Sequence, residues 1–72
     1  MSPQFHVLDV VALLDDLPEQ GLRRGQVGTI VERLGPDVFE VEFTDNQGRA
    51  YASVALRASQ VMPLHYQPAQ AT

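Results

Sequence analysis

Residues 38 to 44 read Val-Phe-Glu-Val-Glu-Phe-Thr, and this strict alternation constrains the chain more than any other feature in it. Phe39, Val41 and Phe43 fall on one side of an extended strand and Glu40 and Glu42 on the other. One face must therefore sit in a core and the other in water. A half-wet strand is stable only beside other strands, so its neighbours in sequence are the first place to look for partners.

Gly35-Pro36-Asp37 turns the chain just before this strand, and Gln26 to Leu34 before that turn is rich in β-branched residues. That is a second strand, and Gly28 inside it implies a bulge, a bend or a close backbone approach. After the strand, Asp45-Asn46-Gln47-Gly48 is a second turn, leading into Arg49 to Leu56. There Ala50, Ala52, Val54 and Leu56 are expected inward and Tyr51, Ser53 and Ala55 outward, the alanines leaving room for the phenylalanines opposite. Leu8 to Leu14 reads as the first strand, apolar on both faces after Asp9, and Val61 to Leu64 as the last. Arg57 to Gln60 is short enough for a single 3₁₀ turn before it.

From Asp15 to Gly25 no periodicity survives. Pro18 removes a ladder donor and holds Leu17 extended, and Gly21 and Gly25 permit positive φ, so this is one long irregular loop. The expected fold is all-β, a small five-stranded SH3-like barrel with a long first loop and a single 3₁₀ turn before the last strand. An OB-type barrel needs a helix between strands three and four, and only four turn residues lie there. Residues 1–7 are expected to be a lead-in, 8–64 the barrel and 65–72 a flexible tail.

A single domain of 72 residues buries only about 60% of the surface its unfolded chain exposes, so its core is thin. With no cysteine and two separated histidines, neither a disulfide nor a zinc cluster reinforces it. Nine acidic residues against five arginines give a net charge of −4, the wrong sign for a general nucleic-acid or anionic-membrane surface. The longest apolar run, Val10 to Leu14, is far too short to cross a bilayer, and a cytoplasmic location is the expectation.

No set of side chains has catalytic spacing. Asp15, Asp16 and Glu19 lack an EF-hand-like arrangement and read as turn-forming and solvated carboxylates. His6 and His65, flanking the first and last strands, lack the third ligand that a metal site needs. Ser53 and Ser59 have no base and no nucleophile elbow. Arg23 and Arg24 beside Gly25 have the fork geometry for a phosphate or a partner carboxylate, with Glu19 near enough in sequence to neutralise one of them. Tyr51, Val38 and Leu22 are the apolar residues hardest to place inside the core, and an outward tyrosine beside the long loop suits an interface.

Three stretches carry a resemblance: Leu8-Asp9-Val10-Val11, then Asp16-Leu17-Pro18-Glu19-x-Gly21-Leu22-x-x-Gly25-x-x-Gly28-Thr29-Ile30-Val31, then Val41-Glu42-Phe43-x-Asp45-x-x-Gly48. Together they resemble a family of small bacterial proteins classed only as a domain of unknown function, over Leu8 to Leu64. That family supplies no activity and no functional residue to carry over. Gly25-Gln26-Val27-Gly28-Thr29-Ile30 is similar to the KOW motif of ribosomal and transcription-associated proteins, which usually sits among many basic residues. Leu22 to Ile30 with Val41 and Phe43 also looks like the barrel of nitrile hydratase β subunits and their accessory proteins.

The function expected from these features is a non-catalytic protein-binding or regulatory module, with another protein or a second copy as partner. Its surface is expected to include Glu19, Leu22, Arg23, Arg24 and Tyr51, without cofactor or metal. Two alternatives stand beside it: a KOW-like contact with RNA or the ribosome through Arg23 and Arg24, with Arg33 or Arg49 as a further candidate, and an accessory role beside a metalloenzyme.

Overall fold

The computed structural model describes residues 5–66 and 68. Five antiparallel strands form one sheet: β1 (Val10–Leu13), β2 (Val27–Gly35), β3 (Val38–Thr44), β4 (Ala50–Arg57) and β5 (Val61–Pro63), in the order β4-β3-β2-β1-β5. The alternation of β3 is realised as expected. Phe39, Val41 and Phe43 are buried, and Glu40 and Glu42 lie on the outer face.

The sheet is curled, and chain length shows why it must be. β4 and β5 are its two ends, so in a flat sheet they would stand four strand spacings of about 4.8 Å apart, about 19 Å. Only the 3₁₀ turn Ala58–Gln60 joins them, and three such residues advance about 6 Å. The two ends are therefore drawn together at this turn. The Leu14 amide donates to the Gln60 carbonyl at 2.9 Å and the Ala58 amide to that of Asp37 at 3.0 Å, fixing the turn to both flanks.

Within the curl lie Val11, Leu13, Ile30, Phe39, Val41, Phe43, Leu56 and Val61. Gly28 lets β3 come this close to β2. A Cβ built on it would stand 2.8 Å from Val41 Cγ1 and 3.0 Å from both the Glu42 carbonyl oxygen and Phe43 Cδ2, so the glycine marks a close backbone approach.

Several details differ from the sequence expectation. β1 starts at Val10 rather than Leu8, because Leu8 takes φ 81° and the Asp9 amide turns back to the His6 carbonyl at 3.0 Å. Ala50 is exposed, since a register shift at Thr44 displaces the start of β4. Of the expected lead-in, residues 1–4 lie outside the described residues and Phe5 is 3% exposed, with its ring centroid 5.6 Å from that of Phe39. Arg33 covers this pair, its guanidinium 4.9 Å above the Phe39 ring and its Nη2 donating to the Phe5 carbonyl at 3.0 Å. Of the expected tail, His65, Tyr66 and Pro68 are exposed, and residues 67 and 69–72 lie outside the described residues.

Candidate functional site

The first loop is built more tightly than its composition suggests. Leu17 and Leu22 exchange both backbone hydrogen bonds, at 2.9 and 3.0 Å, closing a small hairpin around the 3₁₀ turn Pro18–Gln20. Gly21 ends that turn at φ 72°, where any other residue would be strained. Closing the hairpin turns Leu22 inward, and it is 1% exposed. The expectation that Leu22 belongs to the outer surface is therefore corrected: burying its side chain contributes about 1.5–3 kcal/mol to the core. Val38 is half-buried and Leu17 packs against the same core.

The rest of the loop is held by polar contacts. The Asp16 carboxylate accepts from the Arg24 amide at 2.8 Å, and the Gln26 side chain accepts from that of Arg23. Gln26 Nε2 donates to the Tyr51 hydroxyl at 2.7 Å, which ties the base of the loop to β4. Tyr51 is 49% exposed, and its ring lies 6.5 Å from that of Phe43. Arg23 and Arg24 are exposed and, among the described residues, neither forms an ion pair with Glu19. Glu19 instead lines a cleft together with Leu17, Pro18 and Gln20.

That cleft, of about 270 Å³, is lined by Leu17, Pro18, Glu19, Gln20, Val54, Ala55, Leu56 and Gln60. It is smaller than the usual small-molecule pocket of about 300–1,000 Å³. Val54 and Leu56 face inward and Ala55 outward, so a cleft touching all three runs along the edge of the β4 backbone. Loop residues form one wall, and the sheet edge forms the other.

The hydrogen-bond register shows which groups that edge presents. Ala58 bonds to the carbonyl of Asp37, and antiparallel pairs alternate between bonded and non-bonded. Leu56, Val54 and Ala52 therefore exchange bonds with Phe39, Val41 and Phe43, whereas Arg57, Ala55 and Ser53 turn their backbone groups away from β3. The Arg57 amide is taken by Gln60 Oε1 at 2.9 Å. The amides and carbonyls of Ser53 and Ala55 have no backbone partner among the described residues.

Beside this edge the outer face is acidic. Glu40 lies directly across from both Ala55 and Glu32, and Glu42 across from Ser53. Like charges opposite one another destabilise a sheet, so the Glu32–Glu40 pair is retained at a cost. The Ser53 hydroxyl donates to the Glu40 carboxylate. No arginine lies within ion-pair distance of Glu32, Glu40 or Glu42 among the described residues. At the far turn, Asp45 accepts from the Arg49 amide at 3.0 Å, the Gln47 amide at 2.9 Å and Arg49 Nε, and these bonds, the Arg49 amide foremost, hold its carboxyl below the ordinary range. Asp45 is thus a turn-maker.

Of the five residues expected at a binding surface, the structure brings Glu19 to the cleft and Tyr51 to the base of the loop, buries Leu22, and leaves Arg23 and Arg24 together in the Arg23–Gln26 turn that leads into β2. Sequence reasoning missed Ser53, Ala55, Glu40 and Gln60. The first two are small residues within a strand and carry no signal until the register is known.

These features define a small all-β domain with a strand edge, unpaired among the described residues, bordering a narrow cleft. The chain belongs to the family described as Domain of unknown function (DUF4926), whose model matches residues 7–63. No curated protein and no solved structure matches it.

Proposed function

We propose that this chain is a non-catalytic protein-binding module that receives an extended segment of another protein along the β4 edge. The observation that carries this reading is the coincidence of free backbone groups on Ser53 and Ala55 with a cleft running past Ala55. A segment laid there adds main-chain hydrogen bonds to Ser53 and Ala55 and places alternate side chains against Leu17 and Pro18, the usual division between affinity and specificity in strand addition. The strand order and the 3₁₀ turn before β5 support reading the fold as an SH3-like barrel. No helix among the described residues is long and apolar enough to cross a membrane, and we take the cytoplasm as the place of action.

The test uses the variant Ala55→Pro. Proline at a backbone position facing away from the ladder removes the free donor without breaking a β3–β4 bond. Tagged wild-type chain should recover a stoichiometric partner from its native cells, and Ala55→Pro, folded by circular dichroism, should not. Equal recovery by both proteins, or no partner for the wild type, ends the proposal.

A second reading, contact with RNA through Arg23 and Arg24, is supported by the exposure of both in the turn that leads into β2. It requires salt-sensitive RNA binding that Arg23→Ala with Arg24→Ala abolishes.

A further inference from the structure

We infer that the segment received at β4 is basic, with arginine or lysine at alternate positions on the face it shares with Glu40 and Glu42. This rests on the edge-binding reading above and adds the chemistry of the partner. Register supplies the argument. Residues of an added strand that bond to Ser53 and Ala55 lie directly across from them and point to the same outer face. Behind Ser53 stands Glu42 and behind Ala55 stands Glu40, each one strand further in.

A long cationic side chain in the added strand must cross β4 to reach those carboxylates, over two strand spacings of about 10 Å in all. A serine and an alanine are the residues it would cross, and neither blocks the way. Meeting the cation also relieves the repulsion between Glu40 and Glu32, which gains nothing from the unbound domain. The intervening residues of the segment face the cleft, whose Leu17, Pro18 and Val54 call for an apolar side chain.

The same geometry disfavours a second copy of this chain. Two β4 edges joined as one sheet would bring two Glu40 and Glu42 rows onto a common face of a protein already at −4.

Three synthetic peptides of eight residues, the length of β4, test the inference: alternating arginine and valine, threonine and valine, and glutamate and valine. Binding is followed by NMR titration, and amide hydrogen exchange is read at Ser53 and Ala55. The arginine peptide should slow exchange at both amides and bind about ten-fold more tightly than the threonine peptide, as two exposed charge pairs allow. The glutamate peptide should be weakest. Glu40→Gln with Glu42→Gln should remove the arginine peptide's advantage, and so should high salt. If the threonine and arginine peptides protect Ser53 and Ala55 equally, the basic partner is wrong while the edge site stands. If no peptide protects those amides, or Ala55→Pro binds the arginine peptide as well as the parent does, the edge site itself is wrong.

Discussion

The two ends of the sheet are built in opposite ways. β5 has three residues, and its bonded pairs with β1 are Leu14–Gln60, Ala12–Met62 and Val10–Leu64, which leaves the backbone groups of Val61 and Pro63 pointing away from β1. The Val61 amide is already bonded to the Ala58 carbonyl, and Pro63 has no amide to offer. β4 has eight residues, no proline, and unpartnered backbone at Ser53 and Ala55. Natural sheets blunt their edges because an open one recruits other strands. One end closed so completely and the other left open is the contrast on which the proposal of a partner at β4 rests.

Packing follows the same division. At the closed end Val11, Leu13 and Val61 are buried, whereas on β4 only Leu56 is, with Ala52 and Val54 half-exposed. The largest expected effect breaks this contrast directly. Leu13→Ala should cost about 3 kcal/mol, within the usual 2–5 for a buried leucine, and Val54→Ala about 1 kcal/mol. For a chain whose total stability is about 4–11 kcal/mol, the first loss is a large fraction. Urea unfolding at unchanged m-value reads both, and equal losses would show β4 to be as firmly packed as β1.

A middle-sized effect sharpens the contrast by acting on one half alone. Gly28→Ala places a methyl group against Val41, Phe43 and the Glu42 carbonyl, all of them on β3. A backbone oxygen cannot step aside as a flexible side chain does, so the cost should be about 2 kcal/mol, within the range for overpacked cores. Since β3 carries β4, amide exchange should quicken along β3 and β4 more than along β1 and β5. Uniform quickening would mean that the two halves open as one unit.

How much of this was legible in the chain depends on the kind of signal each part leaves. Phe39 to Phe43 declared β3 because period-two alternation is produced by little else, and Gly28 declared a close approach because glycine inside a strand is otherwise a loss. Leu22 misled because the long loop is aperiodic: what turns it inward is a pair of backbone bonds to Leu17, five residues back, and backbone bonds leave no mark on composition. Phe5 was overlooked for the opposite reason, as its partner Phe39 lies far along the chain. The edge at Ser53 and Ala55 was the least legible part. Whether a residue's amide points into a ladder or out of it is set by the register, and a hairpin's register is set by its turn, here Asp45–Gly48 with the shift at Thr44, several residues away from Ser53 and Ala55.

Pro63→Val carries the smallest effect on stability and bears most directly on the comparison. The Pro63 nitrogen faces away from β1, so valine there neither gains nor loses a bond to it, and stability should change by less than about 0.5 kcal/mol. What changes is the closed edge, which acquires its first free amide between the Val61 and residue-63 carbonyls. Size-exclusion chromatography over rising concentration should show the variant associating where the parent does not. Were the variant to elute as the parent does, the proline would not be the guard, and the shortness of a three-residue strand would account for the closed end.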